Sequence, residues 1–322
     1  MKNATRLLAA GLMLASFAGA ATAQDQYPAQ NIKFVVPFTA GSATDTLARL
    51  LANRMTASLG KTVIVENIAG GNGIPASQNV VRAAPDGYTI MVTANTTHAG
   101  NQALLKNVPY DAVTDFEPIT KLGSITLALV AHPSVPANNL KELIAYGKAN
   151  PGKLTFGAGS SSSRMSAELL KSLAGIDMLH VPYRSNPQAV TDLLGGQISI
   201  FFGDVSTALP PMQSGKLKGF GVSGLKRSPL APDLPTLDES GLKGYELTAW
   251  FAAYAPAKTP KPIIDRLNAA FREALADKNV ADKLLVAGIE PEASTPAELK
   301  AFQAAETVKW QKIAADAKIV PE

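Results

Sequence analysis

The chain has 322 residues, with 30 Lys and Arg against 26 Asp and Glu, and no cysteine. The missing thiol excludes a disulfide framework, a cysteine nucleophile, a thiolate metal site and a lipid-modified N-terminal cysteine. A formal charge of +4 carried by scattered single Lys and Arg residues is too weak for a surface that holds nucleic acid by neutralising phosphates.

The first residues predict a secretory signal over 1–23. Lys2 and Arg6 form a basic start, Leu7 to Ala18 an apolar stretch, and Ala21-Thr22-Ala23 a small-residue cleavage site. The apolar stretch is shorter than the roughly 20 residues of a membrane-spanning helix, and no later run reaches that length. The mature chain is therefore expected to begin near Gln24, soluble, free in its compartment and monomeric, with enough residues for two domains.

After residue 30, apolar strand-like runs alternate with helix-periodic segments. The pattern predicts strands at 32–38, 62–67, 88–94, 125–131, 154–158, 178–182, 198–202, 218–223 and 247–254. Helices are predicted near 43–59, 74–83, 139–149, 162–174, 187–195, 261–276, 279–287 and 296–316. This alternation argues for an α/β fold of βαβ units, with mostly parallel sheets and helices on both faces. One set of elements ends in the extended stretch Val113 to Leu122, and a second set follows. The helices at 261–316 have no strands of their own, yet Ile264, Leu267, Phe271 and Leu275 form an apolar face that needs a sheet. The expected division is domain I from 24–122 and 246–322 and domain II from 123–245, both doubly wound and joined by crossing strands that act as a hinge.

Two loops share one physical logic. Phe38, Thr39, Ser42, Ala43 and Thr44 lie where the first strand passes into a helix, and Ser160, Ser161, Ser162, Ser163 and Arg164 lie at the equivalent junction after 154–158. N–H groups at a helix start lack intrahelical partners and sit at the positive end of the dipole, so each junction suits a carboxylate or phosphate. Each serine also has an ordinary role as a helix cap. Two such junctions after strand ends, where open α/β sheets bind ligands, favour a pair of anion cradles. Arg164 sits in a first turn, against the dipole, which suits a carboxylate clamp or a solvent-facing side chain; Arg184 raises the same question. Asp204 either accepts from a ligand or caps the segment after it, and His98 either donates to a ligand oxygen or is an ordinary loop histidine. His132 and His180 read as structural.

Catalytic signatures are missing: there is no Gly-x-Ser-x-Gly elbow, His-Glu-x-x-His, phosphate-binding Gly-x-x-x-x-Gly-Lys or dinucleotide fingerprint. Gly70 to Gly73 reads as a turn. No catalytic residue, metal or cofactor is expected; a secreted serine hydrolase is the rival reading, lacking a positioned base.

Eight segments in order carry a resemblance across nearly the whole mature chain. They are Val35–Phe38 with Gly41–Asp45, Val65–Asn67, Pro85–Thr89, Pro109–Asp111, His180–Arg184, Leu193–Gln197, Leu234–Glu239 and Pro262–Asn268. In these the chain resembles the periplasmic solute receptors of tripartite tricarboxylate transporters, the Bug family. The resemblance implies a periplasmic binding protein-like flytrap that closes on a small organic carboxylate and delivers it to the transporter's membrane subunits, or reports it to a signalling partner. It also implies that the loops matching 38–45 and 159–164 grip carboxylate groups, with the position of Asp204 touching ligand in some members. Ala40 stands where that family commonly has glycine, and Arg184-Ser185 where it has Lys-Gly. With Arg164 beside the serines and Phe38 and Phe202 as expected ring walls, the ligand reading is a dicarboxylate, aromatic as in terephthalate, with citrate or a C4 dicarboxylate as the alternative.

Overall fold

The computed structural model describes residues 27–183 and 186–321. The predicted signal at 1–23 and the question of Arg184 lie outside them. β1 (Ile32–Val36) is buried almost throughout and pairs in parallel with β2 (Val63–Asn67) and β3 (Thr89–Ala94). Between β1 and β2, α1 (Ala43–Leu59) buries Leu47, Leu51, Met55 and Leu59 at a helical spacing of four. α2 (Ile74–Val81) follows a tight turn at Gly71–Gly73. Beyond β3 comes a π-helical turn, Thr96–Gly100, running into the short α3 (Asn101–Leu104). This helix was not legible in sequence, because two threonines and a glycine carry no 3.6-residue apolar period.

β4 (Phe116–Ala131) is 16 residues long and takes in most of the extended stretch 113–122 that closes the first set. The second set is α4 (Leu140–Ala149), β5 (Leu154–Ala158), α5 (Ser161–Ala174), β6 (Met178–Pro182), α6 (Asn186–Leu194), β7 (Ile200–Asp204), α7 (Val205–Gln213) and β8 (Lys218–Val222). α7 was not predicted; its Pro210 and Pro211 read as breakers, yet they sit in the second half of a nine-residue helix. The chain then runs back along β9 (Thr248–Pro256) into α8 (Lys261–Ala276), α9 (Lys278–Val286), the two-residue β10 (Glu290–Pro291) and α10 (Pro296–Asp316). α8 lays Phe271 on Phe34 of β1 with ring centroids 5.3 Å apart.

The result is an α/β protein of two doubly wound lobes joined by crossing strands, but the expectation of mostly parallel sheets needs correction. β1, β2 and β3 are parallel in one wing and β5, β6 and β7 in the other. The centre is antiparallel: β9 opposes β3 and β4, and β4 opposes β7, β8 and β10. A chain that crosses between lobes and later returns must run both ways through the junction, which sets β4 against β9.

Register fixes where the two wings point. Ala94, the last residue of β3, pairs with Phe251, which pairs with Gly123 of β4. Asp204, the last residue of β7, pairs with Leu127. Read across β9, the carboxyl end of β3 thus falls level with Gly123 of β4, four residues or roughly 13 Å along that strand from the partner of Asp204 at the end of β7.

Candidate functional site

Both sequence-predicted loops leave those carboxyl ends. The first is held by an acid of its own. Buried Asp45 accepts the Gly41 N–H at 2.9 Å, Arg49 Nε at 3.0 Å and Asn67 Nδ2 at 2.9 Å. The same Asn67 amide donates to the Phe38 carbonyl at 3.0 Å, tying the end of β2 to the end of β1. Burial pushes the Asp45 carboxyl up, but the Arg49, Gly41 and Asn67 donors outweigh it and hold it below the usual carboxylate range. Ser42 caps α1, its Oγ accepting the Asp45 N–H at 3.2 Å. That leaves Ala43 and Thr44 at the first helical positions, whose N–H groups have no intrahelical acceptor. Thr39 is exposed, Phe38 half-buried and Thr44 buried.

No acid sits in the first turn of the second tip. Ser160 caps α5 by accepting the Ser163 N–H at 3.2 Å. Asn186 straps the loop, accepting from Gly159 N at 3.1 Å and donating to Ser160 Oγ at 3.3 Å. Capping is therefore the observed role of both Ser42 and Ser160. The four serines separate: Ser160 and Ser161 keep exposed surface, whereas Ser162 and Ser163 are buried. Asn95 donates to Ser162 Oγ at 3.2 Å, a contact from the end of β3 to the tip of α5. Ser163 Oγ donates to the Phe202 carbonyl, so its hydroxyl is committed to the fold. Arg164 is half-buried one turn before Glu168, whose carboxyl burial pushes up against the pull of Lys171 and Arg164.

Three expectations change. His98 is fully buried in the helical turn after β3, stacked on Tyr254 at 3.9 Å and edge-on to Phe116. Burial pushes its imidazole down to about 3, which keeps it neutral, and Thr97 Oγ1 lies 2.8 Å from its Nδ1; this packing gives it a core role in place of the expected ligand contact. Phe202 is also fully buried, stacked on Tyr245, and so is no ligand wall. Asp204 closes β7 as the residue before α7, yet its side chain makes no capping bond there. Burial pushes its carboxyl up to about 6.

Sequence reasoning missed Asp45, Asn67, Asn95 and Asn186 as organisers of these tips. An acid in a first turn and asparagines at strand ends were visible, but their partners are distant in sequence. Among the described residues no group of His, Asp or Glu is placed to hold a metal ion, and no helix is long and apolar enough to cross a membrane.

Comparison with known proteins follows this geometry. Residues 47–319 match the family described as the tripartite tricarboxylate transporter family receptor. The chain is 34% identical over 313 residues to protein BugT of Bordetella pertussis (strain Tohama I), which covers 96% of both chains. Among solved structures it is similar to a Rhodopseudomonas palustris protein, Rpa4515, with adipate, at 31% identity and a TM-score of 0.84 over 92% of this chain and 100% of that one. It is also similar to MatC of the same organism with bound malate, at 31% identity and a TM-score of 0.79 over 89% and 100%.

Proposed function

This chain belongs to the tripartite tricarboxylate transporter receptor family, a family of solute-binding receptors and not of enzymes, and from that premise we propose that it captures a small dicarboxylate between two opposed helix tips. The observation that carries the reading is the register of β4, which brings the carboxyl ends of β3 and β7 to one short section of the junction. The α1 tip offers Thr39, Ser42 and the free N–H groups of Ala43 and Thr44; the α5 tip offers Ser160, the N–H groups of Ser161 and Ser162, the Ser161 hydroxyl, and Arg164. Asp204, at the end of β7, adds a carboxyl that donates to a ligand oxygen when protonated. No cofactor takes part.

The ligand reading narrows with Phe202 in the core. Of the two expected ring walls only half-buried Phe38 remains, which favours an aliphatic dicarboxylate of four to six carbons over terephthalate; the relatives solved with malate and adipate support that range. Domain I (24–122 and 246–322) and domain II (123–245) close on it, because contacts to both tips exist only in the shut state. The loaded receptor, monomeric in the periplasm after loss of residues 1–23, then passes its ligand to the transporter's membrane subunits.

A thermal-shift panel of malate, succinate, adipate, citrate and terephthalate tests this. A ligand that binds only the folded protein adds about 2.7 kcal/mol at a hundred times its Kd, so a true ligand raises the melting temperature by several degrees. No shift with any dicarboxylate contradicts the reading.

A further inference from the structure

The lobes meet through Asn95 and Ser162 and through Met165 of α5, which shares an apolar cluster with Trp250 and Trp310; two further contacts between them share one construction. Gly100 ends the helical turn after β3 in ordinary helical geometry. A Cβ built there would lie 3.3 Å from Ser161 Cβ, in the other lobe, and 3.2 Å from the Trp310 ring of α10. Gly288 follows α9, and a Cβ there would lie 2.7 Å from Ser206 Oγ and 2.9 Å from Ser206 Cβ. Ser206 Oγ donates to the neighbouring Ala287 carbonyl at 3.3 Å. In each pair a glycine of the first lobe meets a serine at the start of a helix that follows a parallel strand of the second: Ser161 begins α5 after β5, and Ser206 lies in the first turn of α7 after β7. These helices start beside the proposed site residues Ser160 and Asp204.

We infer that the Gly100–Ser161 and Gly288–Ser206 contacts are the stops that set how far the lobes shut, and that the two glycines act as positioning residues for the ligand-gripping tip. Resting on the two-lobed receptor reading, the inference assigns the closing distance to backbone surfaces without side chains. With no Cβ on the first lobe, α5 and α7 come to van der Waals distance of its backbone. A methyl at position 100 costs nothing in local helix geometry, since alanine suits a helix better than glycine; it acts by pressing on Ser161 and Trp310. Ser161 belongs to the other lobe and gives way by opening.

The chain has no cysteine, so a Gly100→Cys, Ser161→Cys pair in the full mature chain reads the first stop directly. Its Cβ separation of 3.3 Å is close to disulfide geometry. Mild oxidation is expected to bridge the pair, read by thiol titration and non-reducing gel mobility, and adipate to accelerate bridging. Free thiols in a protein that still melts cooperatively would overturn the inference whatever the ligand does. A bridged pair indifferent to every dicarboxylate would keep the stop; because Ser161 is itself a proposed ligand contact, the ligand reading is then decided by the thermal-shift panel on the parent chain. In a second arm, Gly100→Ala, Gly100→Val and Ser206→Val are expected to speed adipate dissociation, by about tenfold for the valines, with association little changed. Small-angle scattering of the adipate-saturated valine variants is expected to keep the ligand-free radius. Unchanged dissociation in both valine variants would overturn the inference.

Discussion

The two helix tips follow the same sequence logic and are finished differently. The α1 tip contains an anion of its own: Asp45 takes the Gly41 N–H and is flanked by Arg49 and Asn67. The α5 tip has no resident acid and is braced instead by Asn186 and by the commitment of Ser163 to the Phe202 carbonyl. Part of the first tip's attraction for negative charge is thus spent on holding its own loop in shape, while the second keeps its dipole and the Ser161 hydroxyl for a ligand. The lesson is that a helix start after a strand is a cradle only to the extent that its donors are uncommitted, and the partners that commit them lie far along the chain.

Removing Asp45 is the strongest way to break the comparison. Asp45→Ala strips the buried acceptor from Gly41, Arg49 and Asn67, and is expected to lower stability by about 2–4 kcal/mol, measured by urea unfolding. Because its carboxyl is held low, the Asp45 contribution is present above the unfolded value of 3.8 and lost as pH falls through the folded one. The variant should therefore differ least from the parent in acid.

Asp204 has the opposite sign. Its carboxyl is raised from 3.8 to about 6, so the folded state binds the proton more tightly and stability falls as pH rises from about 4 to about 6. Asp204→Asn is expected to be more stable than the parent at pH 7, by about 1–2 kcal/mol after allowance for its partial exposure, and equal to it below pH 4. Melting curves across that range check the sign; a parent that gains on the variant with rising pH would refute it. Ser160→Ala gives the smallest effect, about 1 kcal/mol for a lost cap, with a fall in dicarboxylate affinity that Ser163→Ala, whose hydroxyl faces the core, is expected to match less closely.

Most of the fold was legible because it rests on local periodicity. Helices at 43–59, 261–276 and 296–316 and strands at 154–158 and 178–182 have the bounds read from their apolar spacing. Pairing across the junction was not legible: nothing local in 113–122 says that this segment extends β4, since its partner β9 lies over a hundred residues away. The same limit governed the site. Ser42, Ser160 and Asp204 stand at the strand and helix ends that their neighbours implied, whereas His98 and Phe202 were misjudged because their burial depends on Tyr254 and Tyr245, residues distant from them in sequence.

The central claim is that two helix tips, one from each lobe, hold the two ends of a single dianion. Calorimetric titration of the mature protein with adipate and with hexanoate, equal in carbon number but differing by one carboxylate, tests it most directly. The account expects adipate to bind at least a hundredfold more tightly, with the advantage falling to about tenfold or less when Ser160 and Arg164 are both replaced by alanine. Equal affinity for the two acids, or an adipate preference untouched by those replacements, would contradict it.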